Sequence, residues 1–113
     1  MKWRQLKPNS EINPKKLYGC TLDYLNGNLY LICGYLVNEY TNKIWRYNIE
    51  SKIWSLRYKG DVLPRLYGHR SIVYGSKYVI IFGGCGNTED STTLQFYNDL
   101  YVYNVETNTV KLM

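Results

Sequence analysis

The chain repeats itself. "LYGC" at Leu17–Cys20 returns 49 positions on as "LYGH" at Leu66–His69. At the same offset "YLNGNLYLICGY" (Tyr24–Tyr35) lies over "VYGSKYVIIFGG" (Val73–Gly84). Further along, "NKIWRYNIESKIW" (Asn42–Trp54) lies over "NDLYVYNVETNTV" (Asn98–Val110), now 56 positions apart, so the second copy carries seven extra residues. Repeats of this length each form one unit that buries its apolar faces against its neighbours. That constraint comes before any question of chemistry.

Each copy reads as four strands. Strand a runs over about Gly19–Leu25 and Gly68–Tyr74. A two-residue turn follows, Asn26-Gly27 in one copy and Gly75-Ser76 in the other, both suited to hairpin turns that need positive φ. Strand b, "LYLIC" and "YVIIF", is nearly all apolar, as for a strand covered on both faces. Strand c is "KIWRYNI" and "DLYVYNV"; a polar turn then leads to strand d at "IWSLR" and "TVKLM". Tyr accounts for 13 of 113 residues, which leans the composition further towards strands, and no stretch carries helical periodicity. The opening "KWRQL" at Lys2–Leu6 resembles strand d around Trp54. It reads as the outer strand of a preceding unit.

The four-strand unit of about 50 residues has the period of a kelch blade, and the residues carry the pattern as well. "FGG" ends strand b, "NDLYVYN" forms c, "ETNT" the turn, and "PRLYGH" precedes strand a; Tyr47 and Trp54 have the family spacing. Over essentially its whole length the chain resembles the kelch-repeat β-propeller family. The implied fold is all-β, a partial propeller of two four-stranded antiparallel blades plus one leading outer strand, about nine strands. The divisions are residues 1–16 for the leading strand and link, 17–65 for blade 1 with its link, and 66–113 for blade 2. Gly34, Gly83, Gly84, Tyr47, Tyr103, Trp3 and Trp54 are expected to be structural. The first copy departs with Gly34-Tyr35 in place of two glycines, and Val110 stands where the pattern has Trp.

Gly83, Gly84 and Gly86 after an apolar run also invite a phosphate-loop reading. That needs a following helix and, in the P-loop, a Lys-Ser/Thr pair; "NTEDSTTLQFYND" offers neither. The glycines are better explained by a sharp turn in which a Cβ would clash.

Catalytic alternatives are equally thin. His69 is the single histidine, and Cys20 holds its repeat position, so the slot reads as packing. Cys33 aligns by letter with Phe82, another apolar slot, and Cys85 sits in a loop with nothing cationic beside it in sequence. An odd count of three cysteines without CxxC spacing is neither a disulfide framework nor a zinc signature. No catalytic residue, cofactor or metal is expected. Kelch-like galactose oxidase holds copper with Tyr, His and Cys, but this chain has no paired His ligands. The net charge of +5 is scattered without a basic block, which argues against nucleic acid. No apolar run resembles a signal peptide or a membrane span, and there is no Asn-x-Ser/Thr sequon; a cytoplasmic, reducing location is expected.

Function is therefore expected on loops. The d–a and b–c loops emerge on one face, and they are the long ones: 7–16, 35–41, 58–65 and 85–97. Lys16 and Arg65 suggest a fork for an acidic group, Phe96 and Tyr97 an aromatic anchor, and Glu89 and Asp90 a polar loop tip. The family resemblance implies a non-catalytic module that binds a protein or peptide, an acidic one being suited to this face. The alternatives are a propeller domain of a larger enzyme, such as a kelch-bearing phosphatase, or a ubiquitin-ligase substrate adaptor. Two blades do not close a ring, so the partner of the apolar faces is expected to be the remainder of a larger propeller rather than further copies. Against copies stands the reading of Trp3–Leu6 and Val110–Met113 as d strands competing for one edge.

Overall fold

The computed structural model describes residues 2–36, 39–87 and 93–113. Described strands are β1 (Thr21–Leu25), β2 (Asn28–Leu36), β3 (Glu39–Asn48), β4 (Ile53–Tyr58), β5 (Arg65–Tyr67) and β6 (Arg70–Tyr74). They continue with β7 (Tyr78–Phe82), β8 (Cys85–Asn87), β9 (Gln95–Phe96), β10 (Leu100–Asn104) and β11 (Thr109–Leu112). Blade 1 is the sheet β1-β2-β3-β4 and blade 2 the sheet β6-β7-β10-β11, so each has the order a-b-c-d with the apolar b strand inside. No described residue is helical.

Three short strands exceed the expected set. They form the sheet β5-β8-β9, in which β5 packs against β2 and β3 of blade 1. Its counterpart in blade 1 is the end of the long β2–β3 hairpin, where Gly34 to Leu36 pair with Thr41 to Glu39 and Tyr18 bridges Tyr35. The leading strand, in contrast, is not formed. Residues 2–17 hold no strand, and Trp3 is 93% exposed. A strand exists through its ladder partners, and the sister strands of that unit are not among these 113 residues. Instead the segment is tied to the rim of blade 1. Asn9 N–H donates to the Lys52 carbonyl at 2.6 Å, and Trp54 N–H donates to Ser10 Oγ at 3.0 Å.

The registers also correct the letter-by-letter alignment. In blade 1 Tyr24 pairs with Leu29, and Leu29 with Tyr47. In blade 2 Val73 pairs with Val79, and Val79 with Tyr103. Tyr24 and Val73 are 49 apart, but Leu29 and Val79 are 50 apart. The second a–b turn therefore has three residues, Gly75 to Lys77, between the paired Tyr74 and Tyr78. Of the seven extra residues, one is in this turn and six are in the b–c loop. Cys33 consequently stands over Gly83, not Phe82, and Gly34 over Gly84.

The backbone confirms the shifted frame. Cys33 and Gly34 have φ of 56° and 124°, Gly83 and Gly84 of 73° and 86°. Each blade thus ends its b strand with two left-handed residues. The second position needs glycine for space as well. A Cβ on Gly84 would lie 2.9 Å from His69 N and from the Tyr67 carbonyl, and one on Gly34 3.0 Å from Leu17 Cβ. At Gly83 the nearest atom would be the Tyr97 carbonyl at 3.6 Å, so only φ constrains it. The clash expected at Gly83 is absent, and Cys33 shows that a side chain fits there.

Alternation along the strands divides each blade into a leading face, turned towards the next blade, and a trailing face. The leading face of blade 1 carries Leu25, Tyr30, Ile32 and Ile44; the trailing face of blade 2 carries Val79, Ile81, Tyr101, Tyr103 and Val110. Together they form one buried cluster. Tyr30 meets Tyr103 edge-on at 5.9 Å. Polar groups stitch the same interface: Arg57 Nε donates to Asn108 Oδ1 at 3.3 Å, and Asn26 Nδ2 to the Ser76 carbonyl at 2.9 Å. On the trailing face of blade 1, the Tyr47 ring meets Trp54 at a tilt, centroids 4.9 Å apart. Tyr103 holds the place of Tyr47 and instead donates its hydroxyl to Asn108 at 2.8 Å.

Candidate functional site: a cleft on the loop face

Between the blades, on the d–a and b–c side, lies a cleft of about 500 Å³. Lys59, Asp61 and Arg65 line it from the d–a link, Asn87 and Tyr97 from the b–c loop, Tyr101 and Asn42 from the floor and side. Its wall is held from below. Asn42 Nδ2 donates to the carbonyls of Gly60 at 2.7 Å and Leu63 at 3.0 Å. The Tyr58 hydroxyl accepts from the backbone N–H of Val62 at 3.2 Å and Leu63 at 3.3 Å. Leu63 is buried and anchors the link in the core. The opposite wall is tied by Tyr97 N–H, which donates to the Gly84 carbonyl at 2.9 Å. Burial raises the Tyr97 phenol above its ordinary pKa, with Asp99 adding to the shift, so it remains a neutral hydrogen-bonding group.

Of the residues read from sequence as binding candidates, Arg65 and Tyr97 meet in this cleft. Lys16 and Phe96 are exposed but do not line it. Glu89 and Asp90 lie outside the described residues. Lys59, one of the cations that make this loop face lean basic, joins them, and Asn42 and Asn87 complete the cleft without having been singled out. Asn42 had a signal: it recurs as Asn98 immediately before the other c strand. A smaller cleft of about 290 Å³ occupies the matching place on the trailing side of blade 1, lined by Ile12, Lys15, Leu17, Trp45 and Leu56. It is more apolar, and Lys15 lies 3.9 Å from Glu39 at its rim.

A tyrosine cluster sits beside these loops. Tyr35 has Tyr18, Tyr40 and Tyr67 at 5.2, 4.7 and 5.6 Å. The Cys85 side chain beside Tyr67 holds the Tyr67 phenol above its usual value. Phe96 pairs with Cys85 across β8–β9.

Nucleophile chemistry finds little support. Cys33 is fully buried, and desolvation pushes its thiol far up; burial also raises Cys20. His69 is buried, its Nε2 is 2.9 Å from Thr21 Oγ1, and desolvation lowers its pKa to about 4. It bridges β1 to the start of β6. Among the described residues no three His, Cys, Asp or Glu side chains gather to hold a metal.

The KLHDC2/KLHL20/DRC7 Kelch-repeats domain matches residues 1–112. The chain belongs to the kelch-repeat family. Among curated proteins, the Rho GTPase-activating protein gacHH of Dictyostelium discoideum is 31% identical over 96 residues, covering 84% of this chain and 6% of that protein. The solved kelch propeller YjhT superposes with a TM-score of 0.69 at 20% identity, over 88% of this chain and 28% of its own. The chain thus spans a small part of the proteins it resembles. In the cleft of this chain the link into blade 2 faces the b–c loop of the same blade, with Asn42 beside it.

Proposed function

We propose that the chain is a non-catalytic interaction module that takes an acidic segment of a partner protein into the cleft between its blades. The observation that carries this is the pairing of Lys59 and Arg65 with the neutral donors Asn87 and Tyr97 on walls already held by Asn42 and Tyr58. Pre-ordered walls lower the entropy lost on binding, and guanidinium is suited to carboxylates. Asp61 on the rim favours a bound group that reaches the two cations from the opposite side. Three free cysteines suit a reducing, cytoplasmic setting. The likeness to gacHH, named as a Rho GTPase-activating protein, supports a second reading: kelch blades within a larger protein whose catalysis lies elsewhere.

The test uses fluorescent peptides rich in Asp and Glu, with amidated Gln and Asn counterparts as controls. Acidic peptides are expected to bind more tightly and to lose affinity with added salt. Lys59→Ala with Arg65→Ala is expected to weaken them about tenfold or more, at unchanged circular dichroism. Equal binding of the amide controls, or no loss in the double variant, overturns the assignment.

A further inference from the structure

On the side opposite the loop cleft, the c–d end of blade 1 holds an open crevice of about 620 Å³. Arg46, Asn48, Glu50, Ser51, Ile53 and Ser55 line it. The ladder explains the gathering. Tyr30 pairs with Arg46, and Arg46 with Ser55, so the three share one row on the leading face, turned towards blade 2. Arg57 lies on the same face and reaches Asn108 of blade 2. Burial raises the Tyr30 and Tyr103 phenols, and the charges of Arg46 and Arg57 pull against it, so two guanidiniums share the seam with two neutral phenols. Neither guanidinium has a carboxylate partner among the described residues. Arg46 Nε and Ser55 Oγ are both buried, and neither has a hydrogen-bond partner there. Asn48 cannot serve them. Its amide donates to Asn28 Oδ1 at 3.1 Å, and its own Oδ1 accepts from Ser51 N–H at 2.8 Å. A buried donor left unpaired is costly, more so on a charged group. Here two of them stand side by side in one ladder pair, at an opening, with no acceptor supplied by the chain.

We propose that this crevice binds a phosphate group, held by the Arg46 guanidinium and the Ser55 hydroxyl, with Arg57 supplying a second positive charge. A guanidinium meets phosphate with two parallel N–H bonds, and the hydroxyl donates a third. A dianion answers two cations, where a single carboxylate answers one. Binding requires the half-buried Arg46 side chain to turn Nε towards the crevice, a rotamer change of the kind that recognition commonly brings. Exposed Glu50 at the rim opposes the anion, which keeps affinity modest. The same carboxylate accepts a hydrogen bond from a hydroxyl carried next to the phosphate. Since Arg57 ties the seam to Asn108, an anion seated beside it also braces the two blades against each other. The site is independent of the acidic-segment reading, whose Lys59 and Arg65 lie at the other end of the blades.

The experiment titrates the whole chain with inorganic phosphate at an ionic strength held constant with chloride, read by calorimetry and by melting temperature. Phosphate is expected to bind with millimolar affinity and to raise the melting temperature, since it favours the folded chain. Arg46→Lys keeps the charge and loses the fork; Ser55→Ala loses the third donor. Each is expected to weaken phosphate about fivefold or more, with circular dichroism checking the fold. Glu50→Gln removes the opposing rim charge and is expected to tighten it about threefold, a gain that a damaged fold cannot imitate. A phosphoserine peptide and a hexose phosphate are compared with inorganic phosphate, and the tighter of them identifies the source of the group. The Lys59→Ala/Arg65→Ala variant is expected to keep the full response. Loss of the response in that variant places the anion in the loop cleft and overturns this site. Chloride that stabilises as well as phosphate overturns it too, and so does phosphate binding that both Arg46→Lys and Ser55→Ala leave intact.

Discussion

Ile44 and Leu100 hold the same place on strand c of the two blades, yet one is 0% exposed and the other 42%. Nothing in their own strands causes the difference. Both lie on leading faces, both are branched aliphatics, and both pair with the b strand beside them. What differs is the neighbour. Alternation decides which side chains a blade offers, and the next blade decides whether they leave water. In a repeat fold, burial belongs to the pair and not to the unit.

The sharpest way to break this comparison is to truncate both residues. Ile44→Ala is expected to cost about 2–5 kcal/mol, and Leu100→Ala no more than about 1 kcal/mol in dilute protein. Urea denaturation of the two variants measures it. Equal losses mean that coverage does not govern the energetics.

Next in size is the histidine between the blades. Desolvation holds His69 at about 4 in the folded chain, against 6.5 as its ordinary value. The unfolded chain then binds the proton first. Stability is intact above about 6.5, declines as pH falls towards 4, and has lost its full contribution, roughly 3 kcal/mol, below that. Melting profiles from pH 7 to 4 check this. His69→Asn is expected to flatten the slope. Cys20 occupies the corresponding place in blade 1 and cannot acquire a positive charge, so an unchanged slope in the variant moves the acid sensitivity elsewhere.

The smallest effect separates two adjacent glycines. Gly83→Ala meets only an unfavourable φ and is expected to lose roughly 1–2 kcal/mol. Gly84→Ala also drives a Cβ against the His69 and Tyr67 backbone, adding roughly 1–3 kcal/mol. Thermal denaturation ranks them, and a reversed order contradicts the frame in which Cys33 stands over Gly83.

That frame marks where reading letters stopped working. The blade order, the Asn26-Gly27 turn and the apolar b strands were legible because alternation and turn chemistry are local. The register of strand b was not. "LYG" sets an offset of 49, and Gly34-Tyr35 under Gly83-Gly84 looks like a substitution. One residue inserted in the turn after Tyr74 leaves no letter signature, and positive φ at Cys33 is invisible in a residue type that seldom adopts it. Phe82 was misplaced for that reason. In the cleft, Arg65 and Tyr97 were legible as residues of long loops. Lys16 carries the same repeat position as Arg65, but the link before blade 1 has only one blade beside it. Whether two loops meet depends on that second blade, which no single position encodes.

The shared core has a consequence in time. Leu25, Tyr30, Ile32 and Ile44 find cover only when Val79, Ile81, Tyr101 and Tyr103 arrive. Thr21 and His69, which meet across the seam, are 48 residues apart in the chain. Neither blade can gain much by folding first, so the pair nucleates late and folds slowly, as distant strand contacts require. During synthesis the first blade leaves the ribosome with its leading face bare. Until the last tyrosines follow, that apolar face stays open to non-native contacts.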